Sequence, residues 1–310
     1  MDVYLASPRG FCAGVVRAVD IVELALERYG PPVYVKHQIV HNPHVVADLE
    51  AKGAITVETV SEIPEGSTVV FSAHGSPPSD YQSARERRLN VIDATCPLVT
   101  RVHNEAKKYA GEGKRVILIG HRGHQEVIGT LGQTSMELVD EREGFNLDGA
   151  EEDREVAVLT QTTLSVQDTA RVVNQIQARH PNALVRNDIC YATTNRQEAA
   201  TALARLTDLV LVIGAQNSSN CNRLKEVAEA NGVRAYLING PDELDASWFE
   251  GVQRVGVTSG ASTPEKMVEA VVSALDPEHL VHVGKGEEDI TFTLPRELRD
   301  AATAASPNAG

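Results

Sequence analysis

Short β-branched runs and longer amphipathic stretches alternate along the chain. The strand-like runs include Val3-Tyr4-Leu5, Val33-Tyr34-Val35, Val69-Val70-Phe71, Val116-Ile117-Leu118-Ile119, Val156-Ala157-Val158-Leu159, Val210-Leu211-Val212-Ile213 and Val255-Gly256-Val257. A turn rich in Gly, Ser, Thr or His typically follows, and then a helical segment. This alternation predicts an α/β fold with mainly parallel sheets. Ligands of such sheets gather beyond the carboxyl ends of the strands. The unusual residues fall there: Ser72-Ala73-His74-Gly75, Gly120-His121-Arg122-Gly123-His124, Thr160-Gln161-Thr162-Thr163, Gly214-Ala215-Gln216-Asn217-Ser218 and Thr258-Ser259-Gly260.

A chain of 310 residues, 42% of them apolar, has material for two to three domains and a sizeable core. The start MDVYLASPRG lacks a basic region followed by an apolar one, which argues against a signal peptide. No apolar run reaches 18 residues, so no membrane span is expected and the compartment expected is the cytoplasm. A net charge of −14 argues against nucleic acid as a partner, because that needs a basic stripe. It leaves room for a small anion, which a few converging N–H, hydroxyl and imidazole groups can hold. The acidic stretch Glu137–Glu155 reads as a surface excursion.

Three of the four cysteines share a strand-end position. Cys12 follows Val3-Tyr4-Leu5 and the turn Pro8-Arg9-Gly10; Cys96 follows Val91-Ile92-Asp93; Cys190 follows Asn187-Asp188-Ile189. Their spacings, 84 and 94 residues, are close to one small α/β unit each. Three units donating one thiol each to a common centre is the economical reading. Three separate buried thiols explain the spacing about equally well, and a three-cysteine zinc site is a lesser alternative. No CxxC pair occurs, which removes zinc ribbons, thioredoxin-like motifs and ferredoxin-type cluster runs. Cys221 lies where a helix should start and is expected as a small, half-buried residue of its first turn.

His41, His74 and His124 sit in turns beside glycine or asparagine, which suggests a shared anionic or metal-bound ligand. Near an anion, an imidazole has its pKa raised and donates protons or hydrogen bonds at neutral pH. Residues 214–220 link a strong strand to a helical segment, so their unpaired N–H groups make a phosphate site without a Walker motif. Ordinary helix capping is the plainer explanation of the same segment. Glu126, in what reads as a turn after Gly123-His124, is the carboxylate best placed for proton transfer.

Together these segments resemble the LytB family, the hydroxymethylbutenyl diphosphate reductases that end the non-mevalonate route to isoprenoids. The matching blocks are PRGFCAGVVRA around Cys12, VHNPHVV at His41, FSAHGS at His74, DATCPLVTRVH at Cys96 and LIGHRGHQEVIGT at His124 and Glu126. TQTTLSV at Thr162, DICYATTNRQEA at Cys190, NSSNCNRL at Ser218 and GVTSGASTPE at Ser262 complete the series, in the family's order. The chain departs from the family at Cys221, usually Ser, and at Gln216, usually Lys.

The resemblance implies three α/β units in a pseudo-threefold trefoil around a central [4Fe–4S] cluster. It divides the chain into units at 13–96, 97–189 and 1–12 with 190–285, then an arm at 286–300 and a disordered tail at 301–310. It implies Cys12, Cys96 and Cys190 as cluster ligands; Cys221, in the Ser218-Ser219-Asn220 helix start that should face the diphosphate, is expected outside the set because a thiolate there would repel that anion. It implies a diphosphate held by His41, His74, His124, Ser218, Ser219, Asn220 and Ser262. Thr162 would lie near the substrate hydroxyl, and Glu126 would donate a proton with help from Thr162 and His124. Products would be isopentenyl and dimethylallyl diphosphate. No GxGxxG fingerprint occurs, so electrons should come from a ferredoxin or flavodoxin. The rivals are an aconitase-like hydro-lyase, which needs no net electrons, and a non-enzymatic iron–sulfur sensor or carrier.

Overall fold

A computed structural model describes residues 1–143, 154–284, 286 and 288–299. The chain opens with β1 (Asp2–Ser7) and α1 (Ala13–Tyr29), then runs through β2 (Val33–Lys36), α2 (Pro43–Ala51), β3 (Ala54–Val57), β4 (Thr68–Phe71), α3 (Pro78–Glu86) and β5 (Asn90–Asp93). Helix α4 (Pro97–Gly111) leads into β6 (Arg115–Ile119), α5 (Gln125–Leu131), β7 (Glu137–Val139), β8 (Val156–Thr160), α6 (Val166–Arg179) and β9 (Leu184–Val185). Helix α7 (Tyr191–Ala204) leads into β10 (Leu209–Ile213), α8 (Ser219–Ala230), β11 (Arg234–Ile238), β12 (Arg254–Ser259), α9 (Glu265–Leu275) and β13 (His279–Gly284).

The strands form three sheets, ordered β3-β2-β4-β5, β7-β6-β8-β9 and β11-β10-β12-β1-β13, and every pairing is parallel. One plan is used three times. The first strand after the leading helix sits in the sheet's interior, the second pairs outside it, and the third crosses to the first strand's other side. In the third sheet β1 takes the place that β5 and β9 take in the others. Parallel sheets need cover on both faces, and β6, β8 and β10 are buried at every position. Each sheet has an apolar cluster on either face: around Ile21 and Ile63, around Ile119 and Leu118, and around Val212 and Val257.

The amphipathic pattern explains the leading helices. In α1 the buried positions Val15, Ala18, Ile21, Val22, Ala25 and Leu26 recur at helical spacing and face the first sheet. Past β13 the chain returns to that same cluster, where Leu298 is fully buried. Among the described residues, no helix is long and apolar enough to cross a membrane.

Two expectations need correction. The acidic stretch begins not as an excursion but as edge strand β7, because Leu138 and Val139 pack on the second sheet. Asp140 then accepts from the Arg122 N–H at 2.8 Å, and Glu141 meets His121 Nε2 at 2.7 Å. Residues 144–153 and the tail at 301–310 lie outside the described residues. Second, Asn187-Asp188-Ile189 is not a strand; β9 ends at Val185. Asp188 instead exchanges hydrogen bonds with Thr160, accepting from its N–H and donating its own to the hydroxyl, each at 3.2 Å.

Candidate active site

The threefold plan places the chemistry. Cys12, Cys96 and Cys190 are the N-cap residues of α1, α4 and α7. Each cysteine N–H is tied to a loop after a third strand: Cys96 to the Ala73 carbonyl, Cys190 to Thr162 and Cys12 to Ala261, at 3.0, 3.0 and 3.1 Å. Those loops carry His74, Thr162 and Ser262. The loops after the first strands β2, β6 and β10 carry His41, His124 and Ser218. Between first and third strands the order of the sheet reverses, and there the carboxyl ends leave a crevice. All twelve residues singled out in the sequence line one cavity of about 110 Å³.

All three cysteines line this cavity, each from the start of a different helix. A Cβ on Gly14 would lie 2.9 Å from Cys96 Sγ and 3.8 Å from Cys12 Sγ, so only glycine leaves the space between them. The Thr193 N–H donates to Cys190 Sγ at 3.4 Å. Burial pushes the Cys96 thiol up to about 12 and the Cys190 thiol up to about 11. Cys12 is raised for the same reason.

The imidazoles form one group. His41 stacks on His74 with ring centroids 4.0 Å apart, and His124 meets both edge-on at 5.4 and 6.0 Å. Burial lowers His41 to about 4 and His124 to about 3, and it takes His74 well below the ordinary value; neighbouring rings add to each shift. Without an anion all three are therefore neutral at pH 7, and the raised values expected from the sequence need the ligand itself. His124 Nδ1 accepts from the Glu126 N–H at 3.2 Å, which puts its ring proton on Nε2.

Glu126 is only 3% exposed. It lies in the first turn of α5 and not in a turn of its own, because His124 caps that helix with its ring accepting the Glu126 N–H. Oε1 accepts from the Thr162 N–H at 2.6 Å and Oε2 from the Thr162 hydroxyl at 2.8 Å. Burial raises its pKa to about 7 against the pull of those two bonds, with Asp188 adding to the rise. A carboxyl group so placed holds its proton much closer to neutral pH than an exposed glutamate does.

The start of α8 lines the same cavity. Ser218 caps the helix, its hydroxyl accepting from the Cys221 N–H at 3.4 Å. Asn220 is buried, and neither Nδ2 nor Oδ1 has a protein partner. A buried amide without partners is costly and calls for a polar ligand. Ser262 donates to the His41 carbonyl at 3.0 Å and so joins the first and third sheets.

A family model described as LytB protein matches residues 3–276. The chain belongs to the LytB family. A 4-hydroxy-3-methylbut-2-enyl diphosphate reductase of Acidothermus cellulolyticus is 52% identical over 96% of this chain and 90% of its own length. One from Azotobacter vinelandii is 49% identical over 96% and 98%. The solved E-1-hydroxy-2-methyl-but-2-enyl-4-diphosphate reductase of Plasmodium falciparum superposes with a TM-score of 0.91 at 35% identity, covering 97% of this chain and 98% of that one.

Within this LytB chain the two departures face away from the cavity. Cys221 is wholly buried rather than half-buried, and its sulfur fills the space that Gly214 and Gly260 leave open; a Cβ at either would come within 2.3 Å. Gln216 donates to the Leu237 carbonyl at 2.9 Å. The sequence reading missed Gly14 and Thr193. Thr193 could have been found by its place three residues past a helix-opening cysteine, where the helix's unpaired N–H groups point back at the cap.

Proposed function

We propose that the protein removes the hydroxyl group of 4-hydroxy-3-methylbut-2-enyl diphosphate reductively, forming isopentenyl and dimethylallyl diphosphate. The observation that carries this is a buried carboxyl group poised near neutrality in the same cavity as three thiols drawn from three parts of the chain. The residues fit a [4Fe–4S] cluster: the donors are three soft sulfurs with no fourth in the cavity, and Gly14 keeps the space between two of them clear. Cys12, Cys96 and Cys190 would hold it: Cys96 ends the unit 13–96, Cys190 directly follows the unit 97–189, and Cys12 ends the segment 1–12 that joins 190–285. When bound, such a cluster supplies electrons and, at an iron without a thiolate, Lewis acidity.

The remaining work belongs to side chains. The diphosphate sits among His41, His74 and His124, the start of α8 with Ser218, Ser219 and Asn220, and Ser262 in the loop after β12. Its charge raises His41 and His74 towards their protonated forms, while His124, whose Nδ1 accepts from the Glu126 N–H, donates from Nε2 as the neutral ring. Holding this non-reacting end fixes the hydroxyl end beside Thr162, a use of remote binding energy that raises the rate. Protonated Glu126 passes its proton through the Thr162 hydroxyl to the departing oxygen, with His124 holding the Glu126 backbone, so that oxygen leaves as water. Two electrons and two protons enter per water released, the second proton going to either end of the allylic unit. A ferredoxin or flavodoxin in the cytoplasm is the donor proposed. Anaerobic incubation of iron-loaded protein with this substrate and a reduced donor should yield both products by mass; unchanged or hydrated substrate would contradict the proposal.

A further inference from the structure

Each helix that opens at a cysteine of the cavity carries an arginine five or six residues past the sulfur. Arg17 on α1, after Cys12, donates from Nη1 to the carbonyls of Ala94 and Thr95 at 3.2 and 3.1 Å. Those are the two residues before Cys96. Arg101 on α4, after Cys96, donates from Nη2 to Asp188 Oδ1 at 3.1 Å, two residues before Cys190. Arg196 on α7, after Cys190, donates from Nη2 to the Gly10 carbonyl at 2.8 Å, two residues before Cys12. The path runs from Cys12 to Cys96, from Cys96 to Cys190, and back to Cys12.

We propose that Arg17, Arg101 and Arg196 are positioning residues that close a ring of clamps, each holding one pair of the three cysteine segments at fixed separation. This rests on the reading of Cys12, Cys96 and Cys190 as one ligand set. The three cysteines begin helices that lead to three different sheets, so without cross-ties each sulfur would follow its own sheet. A metal-binding set tolerates little such drift, and contacts behind the ligands supply the rigidity. Arginine suits the task, because its planar fork stays charged and reaches two acceptors at once.

The C-terminal arm latches two of the clamps. Glu288 accepts from Arg196 Nη1 at 3.1 Å and from Asn195 at 2.9 Å, and the Thr293 carbonyl accepts from Arg17 Nε at 2.8 Å. Arg196 is completely buried, so its charge depends on Glu288 and the carbonyls of Gly10 and Ala192. A second tie reinforces that side: the Ala13 N–H donates to the Tyr191 hydroxyl at 3.2 Å, joining the residues that directly follow Cys12 and Cys190.

The test uses metal-free full-length protein in which Cys221→Ser and one of the three Cys→Ala changes leave a single thiol pair. Dibromobimane, which fluoresces on joining two nearby thiols, then reports that pair's separation. Arg17→Met should slow joining of Cys12 to Cys96, Arg101→Met that of Cys96 to Cys190, and Arg196→Met that of Cys190 to Cys12. Each loss should be about tenfold, as for a lost hydrogen bond to a charged donor, with the other two pairs within about twofold. Arg→Lys should recover part of each loss. In iron-loaded protein the Met variants should release iron to a chelator faster by a similar factor. Equal losses in all three pairs with a lower Tm would reduce the arginines to general packing, and unchanged rates would remove the clamps; either overturns the proposal. Arg101 is half exposed, so its Met variant keeps the test open if Arg196→Met fails to fold. Failure of all three pairs to join in the unmodified-arginine protein would instead remove the ligand set on which the ring rests.

Discussion

At the scale of single residues, the proposed mechanism gives Glu126 and Thr162 one proton-handling task between them. The carboxyl group contributes a pKa raised by burial, and the hydroxyl contributes contact between the carboxyl and the cavity. Glu126→Gln should retain iron content while losing about 10²–10⁴-fold in turnover, the usual worth of a positioned acid. The donor must be protonated to act, so kcat/KM should fall as pH rises through about 7, the value to which burial lifts Glu126. That alkaline limb should vanish in the Gln variant; a limb that survives would place the proton elsewhere. Cys221→Ser is expected to leave iron content and turnover nearly unchanged, because the sulfur faces Gly214 and Gly260 and not the cavity. Loss of iron in this variant would make Cys221 a ligand. The residue types were legible in the sequence, since buried-site chemistry leaves Cys, His and Glu beside glycines at strand ends. The direction in which Cys221 points was not legible, since it depends on two glycines 7 and 39 residues away in the chain.

Elements decide how those residues meet. The first turn of α8 and the three-histidine cluster line one cavity and form the proposed anion site, one with an unpaired buried amide and the other with rings that burial keeps neutral. Asn220→Ala should weaken binding of inorganic diphosphate about tenfold by calorimetry, and unchanged affinity would take Asn220 out of the site. The histidines also tie stability to pH. Their folded pKa values lie below 6.5, so the unfolded chain binds more protons and stability falls as pH drops from 6.5 towards about 4 for His41 and about 3 for His124. Glu126 opposes this with one proton against three. Tm should therefore fall between pH 7 and pH 5, and less so with inorganic diphosphate, which favours charged rings. An equal fall with and without the anion would contradict the pairing. The interior strands could be read from continuous β-branched runs. Edge strand β7 could not, because its three residues open an acidic stretch, and β9 was displaced by the Asn187-Asp188-Ile189 run, whose aspartate bonds Thr160 instead.

At the scale of the whole molecule, three sheets of one topology meet where their first and third strands end, and each contributes to the cavity one cysteine segment and the two loops that follow those strands. Near-equal spacing of Cys12, Cys96 and Cys190 hinted at this plan. The insertion of β1 into the third sheet, and the return of the arm to α1, were invisible in local patterns because they join the two ends of the chain. Single Cys→Ala changes at 12, 96 or 190 should each strip iron and sulfide, and full content in any one would remove that ligand. The account as a whole stands on electrons being consumed in the reaction. Its most direct test is an anaerobic titration of reduced donor against product formed from 4-hydroxy-3-methylbut-2-enyl diphosphate. Two electrons spent per molecule of isopentenyl or dimethylallyl diphosphate is the predicted result; conversion of this substrate with no electrons spent would contradict it.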